Sequence, residues 1–144
     1  MFAGSHLLTI DDKGRLAIPA RFRQQLGDEY GMQVFITRSY LPCVEIYPAA
    51  QFKLVADQIE ALGDRSRADW LTQIFIGNAV ETEVDKQGRV LLPQLLRKYA
   101  RLDSAVVVVG QNKRMDVWSE DVWTKKFGEE ASEDLAGAFA LLKR

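Results

Sequence analysis

The sequence predicts an α+β fold in which one small unit occurs twice, the copies packing as a single pseudo-symmetric body with helices at its periphery. Three observations lead there. Ile10-Asp11-Asp12-Lys13-Gly14-Arg15-Leu16-Ala17-Ile18-Pro19 returns as Val84-Asp85-Lys86-Gln87-Gly88-Arg89-Val90-Leu91-Leu92-Pro93 at a constant offset of 74 residues. Five of 17 aligned positions are identical, Asp11, Gly14, Arg15, Pro19 and Arg23 recurring as Asp85, Gly88, Arg89, Pro93 and Arg97, where chance gives roughly one. The 144 residues, 47% hydrophobic, can bury one core of ordinary size, whereas a single copy is too short for its own.

Leu8-Thr9-Ile10 and Leu16-Ala17-Ile18 read as short strands flanking a turn. In that turn Asp11 occupies the first position, where its carboxylate bonds nearby backbone, and Gly14 the fourth, where positive φ costs it little. Asp85 and Gly88 do the same between Val80-Glu81-Thr82-Glu83-Val84 and Arg89-Val90-Leu91-Leu92. Pro19 and Pro93 then open short helices, because the fixed φ of proline suits a helix start. Phe22 with Leu26, and Leu96 with Ala100, share a buried face, leaving Arg21, Arg23, Arg97 and Lys98 nearer solvent. Strands follow at Val34-Phe35-Ile36-Thr37 and Val44-Glu45-Ile46-Tyr47, and in the second copy at residues 106–109 and Met115-Asp116-Val117-Trp118. Pro48 and Ser119 mark further helix starts, with Phe52 and Trp123 at matching places beyond them.

Residues 7–51 and 80–123 are thus the two repeats, 52–79 a helical connector and 124–144 a C-terminal helical segment. Helical patterns over residues 49–63 and 66–76 are broken at Gly63-Asp64. They carry apolar stripes of Phe52, Val55, Ile59 and Leu62, and of Trp70, Ile74 and Phe75. Over residues 131–142 Leu135, Phe139 and Leu142 share a face, which docks either on its own subunit or on a neighbour.

Composition narrows the function classes. A net charge of −1 argues against a protein that coats nucleic acid indiscriminately. Positive charge is nevertheless concentrated in the repeats: four cations against two anions over residues 11–23, and five against one over 85–101. Residues 120–144 hold six acids against four bases. The start of the chain lacks a signal-peptide pattern and no apolar run approaches 18 residues, so a cytoplasmic protein with no membrane partner is expected. Cys43, the single cysteine, excludes an internal disulfide framework and reads as a small buried, inert thiol. His6 is the only imidazole, and neither a P-loop nor a dinucleotide fingerprint occurs. No cofactor, metal, small-molecule substrate or catalytic activity is therefore expected, and a carboxylate pair of Asp11 with Asp85 competes with the turn-capping role of both residues.

Arginine is the informative member of the motif, because a turn needs Asp and Gly but does not need Arg immediately afterwards. Arg15 can brace the turn by pairing with Asp11, and Arg89 with Asp85. Either guanidinium can also be aimed outward to grip phosphate or read guanine O6 and N7. The two uses are compatible. Lys13 and Lys86 would add phosphate contacts that position without specifying sequence.

With these residues assembled, the chain resembles the MraZ family of bacterial transcriptional regulators of the division and cell-wall gene cluster. The resemblance spans nearly the whole chain: Met1-Phe2 with Gly4, Asp11-x-x-Gly14-Arg15-x-x-x-Pro19, Pro42-Cys43 leading to Tyr47-Pro48, Asp85-x-x-Gly88-Arg89, Val109-Gly110 and Val117-Trp118. It implies an AbrB-like, swapped-hairpin β-barrel of two interlocked repeats, assembled into a ring-shaped homo-oligomer. It also implies that Asp11 and Arg15, then Asp85 and Arg89, form the DNA-binding loops, with Arg15 foremost. The second turn has Lys86 for Asp12 and Gln87 for Lys13, so the copies need not bind equally.

The expected function is a sequence-specific DNA-binding repressor, nucleoid-associated, that occupies promoter DNA including its own. Head-to-tail ring packing would set the loops in one repeated orientation and favour direct repeats in the operator. The alternative is a protein-binding ring or adaptor without DNA activity.

Overall fold

A computed structural model describes residues 1–128 and 134–144. The chain forms an antiparallel sheet of six strands, a separate two-stranded ribbon and peripheral helices. The first repeat contributes β1 (Ser5–Thr9), β2 (Arg15–Ala17), α1 (Ala20–Gln25), β3 (Gln33–Arg38) and β4 (Val44–Pro48). The connector holds α2 (Ala49–Glu60) and α3 (Arg65–Leu71), the latter continuing as one wide helical turn over Thr72–Ile76. The second repeat follows with β5 (Val80–Glu83), β6 (Arg89–Leu91), α4 (Gln94–Tyr99), β7 (Ala105–Gly110), β8 (Met115–Ser119) and α5 (Glu120–Phe127), and a short α6 (Leu135–Ala140) lies near the C-terminus.

The repeats are interlocked. Sheet order is β1-β7-β8-β4-β3-β5, so the first strand of each repeat pairs inside the other. Ser5 to Thr9 align with Val109 to Ala105, and Val80 to Glu83 with Ile36 to Gln33. The ribbon also joins the copies, β2 pairing with β6. A pseudo-twofold axis therefore runs between β4 and β8 and through the ribbon. The reading of β1 and β2 as strands flanking one turn stands, but Ile10 and Leu16 make only a single bridge across it. β1 and β2 each find their ladder in the other copy. Nor do these ladders close a barrel: β1 and β5 end the six-stranded sheet without pairing with each other.

Period-two alternation explains where the core sits. Val34 and Ile36, Val44 and Ile46, Val106 and Val108, and Met115 and Val117 line one sheet face and are fully buried. Against them pack Leu16, Ile18, Val90 and Leu92 from the ribbon strands and their extensions, with Phe22, Leu26, Leu96 and Ala100 from the short helices and their ends. Each such aliphatic side chain contributes about 1.5–3 kcal/mol on burial. Pro19 and Pro93 precede α1 and α4 as N-caps, one position earlier than a helix-opening proline. The opposite sheet face is covered by α2 over β3 and β4 and by α5 over β7 and β8. There Phe35 stacks on Phe52 at 4.2 Å between ring centroids, and Trp118 meets Trp123 at 6.0 Å.

The connector is less buried than its stripes suggest. Phe52 and Ile59 are in the core, but Leu62, Trp70 and Ile74 are exposed. Asp64 restarts the helix after Gly63, its carboxylate accepting from the Arg67 N–H at 3.2 Å. Of the C-terminal helical stretch, residues 131–133 lie outside the described residues, and α6 is exposed along its length. No described helix is long and apolar enough to cross a membrane.

Candidate nucleic-acid interface

The two motif loops are built alike. Gly14 N–H donates to the Asp11 carbonyl at 3.0 Å, closing the turn, and Gly14 continues at φ +85°. Gly88 donates to Asp85 at 2.9 Å and has φ +80°. Such a left-handed residue at the end of a hydrogen-bonded turn lets the strand resume with an enhanced twist, and glycine adopts it without strain. The Asp11 carboxylate accepts from the Lys13 and Arg15 N–H groups at 3.0 and 2.8 Å and from Arg15 Nε at 2.7 Å. Asp85 repeats the pattern with Gln87 N, Arg89 N and Arg89 Nε at 2.9, 2.9 and 3.1 Å. The donated backbone N–H of Arg15, with its guanidinium, holds the Asp11 carboxyl below the usual range, and Arg89 does the same to Asp85. A general acid needs the opposite shift.

Bracing and presentation coexist in each arginine. The ion pair uses Nε, and the terminal nitrogens of Arg15 and Arg89 find no acceptor among the described residues. On the ribbon Arg15 pairs with Leu91, Leu16 with Val90 and Ala17 with Arg89. Leu16 and Val90 are buried, so the alternating positions Arg15, Ala17, Arg89 and Leu91 share the outer face. Arg15 and Arg89 are diagonal neighbours there, roughly 7–8 Å apart at Cα. Lys13 and Lys86 are exposed on the flanking turns. One narrow ribbon thus joins all six motif side chains that the sequence singled out.

A family model described as "MraZ protein, putative antitoxin-like" matches residues 1–71 and 75–142. The chain belongs to the MraZ family. It is 41% identical over 138 residues to a Legionella pneumophila protein named transcriptional regulator MraZ, covering 92% of this chain and 91% of that one. Proteins of the same name from Carboxydothermus hydrogenoformans and Desulfitobacterium hafniense are 41% identical over 124 residues and 39% over 139. These alignments cover 85% and 96% of this chain and 84% and 94% of theirs.

In this member of the MraZ family the fifth repeated identity has a role that its solvent-facing assignment missed. Arg23 and Arg97 do not point free of the body. Arg23 Nε donates to the Ile18 carbonyl and Arg97 Nε to the Leu92 carbonyl, each at 3.0 Å. Each guanidinium thereby lies against the glycine of the other repeat's loop: a Cβ at Gly14 would strike Arg97, and one at Gly88 would strike Arg23. Backbone bonds run alongside, Ile18 N–H to the Gly88 carbonyl at 2.8 Å and Leu92 N–H to the Gly14 carbonyl at 2.9 Å. Every loop is therefore clamped from across the pseudo-twofold. The recurrence of Arg23 as Arg97 was the available signal.

A buried ionic cluster at the axis was also missed. Glu45 on β4 faces Asp116 on β8. Arg114 reaches both, at 3.5 and 2.9 Å, and the Tyr47 hydroxyl donates to Glu45 at 2.8 Å. Burial raises both carboxyls above their ordinary values. Acids at matching places in otherwise apolar strands were the clue. Cys43 beside them is fully buried, and desolvation pushes its thiol up to about 12, the inert behaviour expected of it. His6 packs edge-on to the Phe22 ring at 5.2 Å.

Proposed function

We propose that this chain is a sequence-specific DNA-binding transcriptional regulator of AbrB-like, swapped-hairpin type. It represses the division and cell-wall gene cluster, including its own promoter, from a ring-shaped homo-oligomer in the nucleoid-associated cytoplasm. The observation that carries this reading is the β2–β6 ribbon, which bears Arg15 and Arg89 on one outer face. A two-stranded ribbon has the width to enter a major groove, where an arginine reads guanine through two acceptors and an apolar side chain such as Leu91 meets a thymine methyl. Lys13 and Lys86 contact phosphate on either side and set the register. The differing turn tips and the Ala17–Leu91 difference make Arg15 the principal base contact and Arg89 the secondary one.

A single ribbon makes few contacts, and the net charge of −1 gives little long-range attraction. Several ribbons in one ring raise affinity by about 10²- to 10⁴-fold if the operator reaches them together. Head-to-tail packing makes that operator a set of direct repeats.

The test is a gel shift of the purified protein with DNA from upstream of its own gene. Arg15→Ala should abolish the shifted band while oligomer size and Tm stay near wild type, and wild-type affinity should fall steeply as salt rises. Normal operator binding by Arg15→Ala sinks the assignment. If Arg15 serves only as a brace, the substitution lowers Tm and Asp11→Ala mimics it.

A further inference from the structure

The sheet face turned away from the ribbon carries a groove of about 680 Å³ between α2 and α3. Ile59, Leu62, Ile74, Phe75 and Trp70 wall it, and Glu45 of β4 is also on its lining. Trp70 is 74% exposed, whereas the Glu45 side chain is 8% exposed. The groove therefore runs from an aromatic entrance down to a buried carboxylate. An apolar cleft of this size with few polar groups has the form of a small-molecule site.

We propose that this groove binds a small amphipathic cation, an amine whose ammonium group meets Glu45 and whose apolar body lies between α2 and α3. The site is separate from the β2–β6 ribbon and does not rest on the DNA reading.

Charge selects that class of ligand. Glu45 faces Asp116 across β4 and β8, and the two carboxyls share one counter-ion, Arg114, at 3.5 and 2.9 Å. The Tyr47 hydroxyl adds a donor at 2.8 Å but no charge. When both acids are ionised the cluster is thus one positive charge short. Glu45 has the longer contact with Arg114, and it is Glu45 rather than Asp116 that lines the groove. A buried ionic cluster is a weak stabiliser, and one that opens on a cleft with its carboxyls raised marks a binding site.

The two arginines of the groove do not supply the missing charge. Arg38 donates to the Tyr99 hydroxyl at 3.1 Å and lies 3.9 Å over that ring. Arg67 is largely in solvent and pairs with Asp64 at 3.5 Å. The carboxylate end is left to a ligand, and Trp70 and Phe75 add the aromatic surface that attracts an ammonium group.

Titration calorimetry and NMR of the full-length protein with phenylbutylamine test the site, phenylbutanol and phenylbutyrate serving as its neutral and anionic counterparts. The amine should bind about tenfold or more tighter than the alcohol, because a charge-assisted hydrogen bond is added to the same apolar contact. It should also shift the Trp70 indole N–H resonance. Glu45→Gln, which keeps an acceptor for Tyr47, should bring the amine down to the affinity of the alcohol, and Trp70→Ala should weaken both several-fold. The inference is overturned if the amine does not bind, if phenylbutyrate binds as tightly, if Glu45→Gln binds the amine as the wild type does, or if the Trp70 resonance stays in place. Should Glu45→Gln lose its fold, the order of the three ligands on the wild type and the loss in Trp70→Ala decide. Arg15→Ala should bind the amine normally whatever it does to the operator, so failure of the DNA reading and failure of this site are read separately.

Discussion

Asp11 and Asp85 show how much one carboxylate does in this molecule. Each satisfies two backbone donors of its loop and fixes an arginine through Nε. Their carboxyls are depressed in the folded chain, so their contribution to stability is fully present above the unfolded value, near 3.8, and is lost as pH falls through the lower folded values. Denaturant unfolding measured from pH 6 down to pH 3 should therefore show wild-type stability falling from about pH 4 downward. The Asp11→Asn, Asp85→Asn double variant starts lower and has a shallower slope over the same range. Equal slopes would mean that these carboxyls are not perturbed by folding. The turn role of both residues was legible in the sequence because an Asx turn is local. That Arg15 and Arg89 both brace and present was not, since which guanidinium nitrogen takes the carboxylate depends on backbone geometry.

At the scale of elements, the short helices do more than cap the core. Helix α1 carries Arg23 to the second loop and α4 carries Arg97 to the first. Loop order is thereby coupled to the opposite copy. Arg23→Ala should speed amide exchange in residues 85–89 several-fold while leaving residues 11–15 near wild type, a crossed pattern readable by NMR. Faster exchange at residues 11–15 alone would refute the clamp. Sequence periodicity located α1, α4 and their buried faces correctly, because Phe22, Leu26, Leu96 and Ala100 follow the helical repeat. It placed Arg23 and Arg97 nearer solvent because helical phase says which side faces out from the core, not what another repeat brings to that side.

For the whole molecule, the pseudo-twofold axis gathers polar groups as well as apolar ones. Glu45 and Asp116 oppose each other in the centre of the sheet and share Arg114. Their carboxyls are raised by burial, so what they contribute is complete below the unfolded values and diminishes as pH rises through the folded ones. Arg114→Met removes the common counter-charge and should cost about 3–5 kcal/mol at neutral pH. The loss should be partly recovered near pH 5, where the carboxyls are more readily protonated. Chemical denaturation at both pH values checks this, and a pH-independent loss would show that packing rather than charge is at stake.

The sequence by itself determined the duplication, the order of strand, turn, strand, short helix, strand and strand, both glycine-closed turns and the buried faces of the short helices. Local rules suffice for these: a period, a turn type, a residue able to adopt positive φ. Only the tertiary structure decided that β1 joins β7, that β5 joins β3, and that β2 and β6 form the ribbon carrying both arginines. Two copies of one motif offer every strand two chemically similar partners. The choice between them is made by the core that both repeats must bury together.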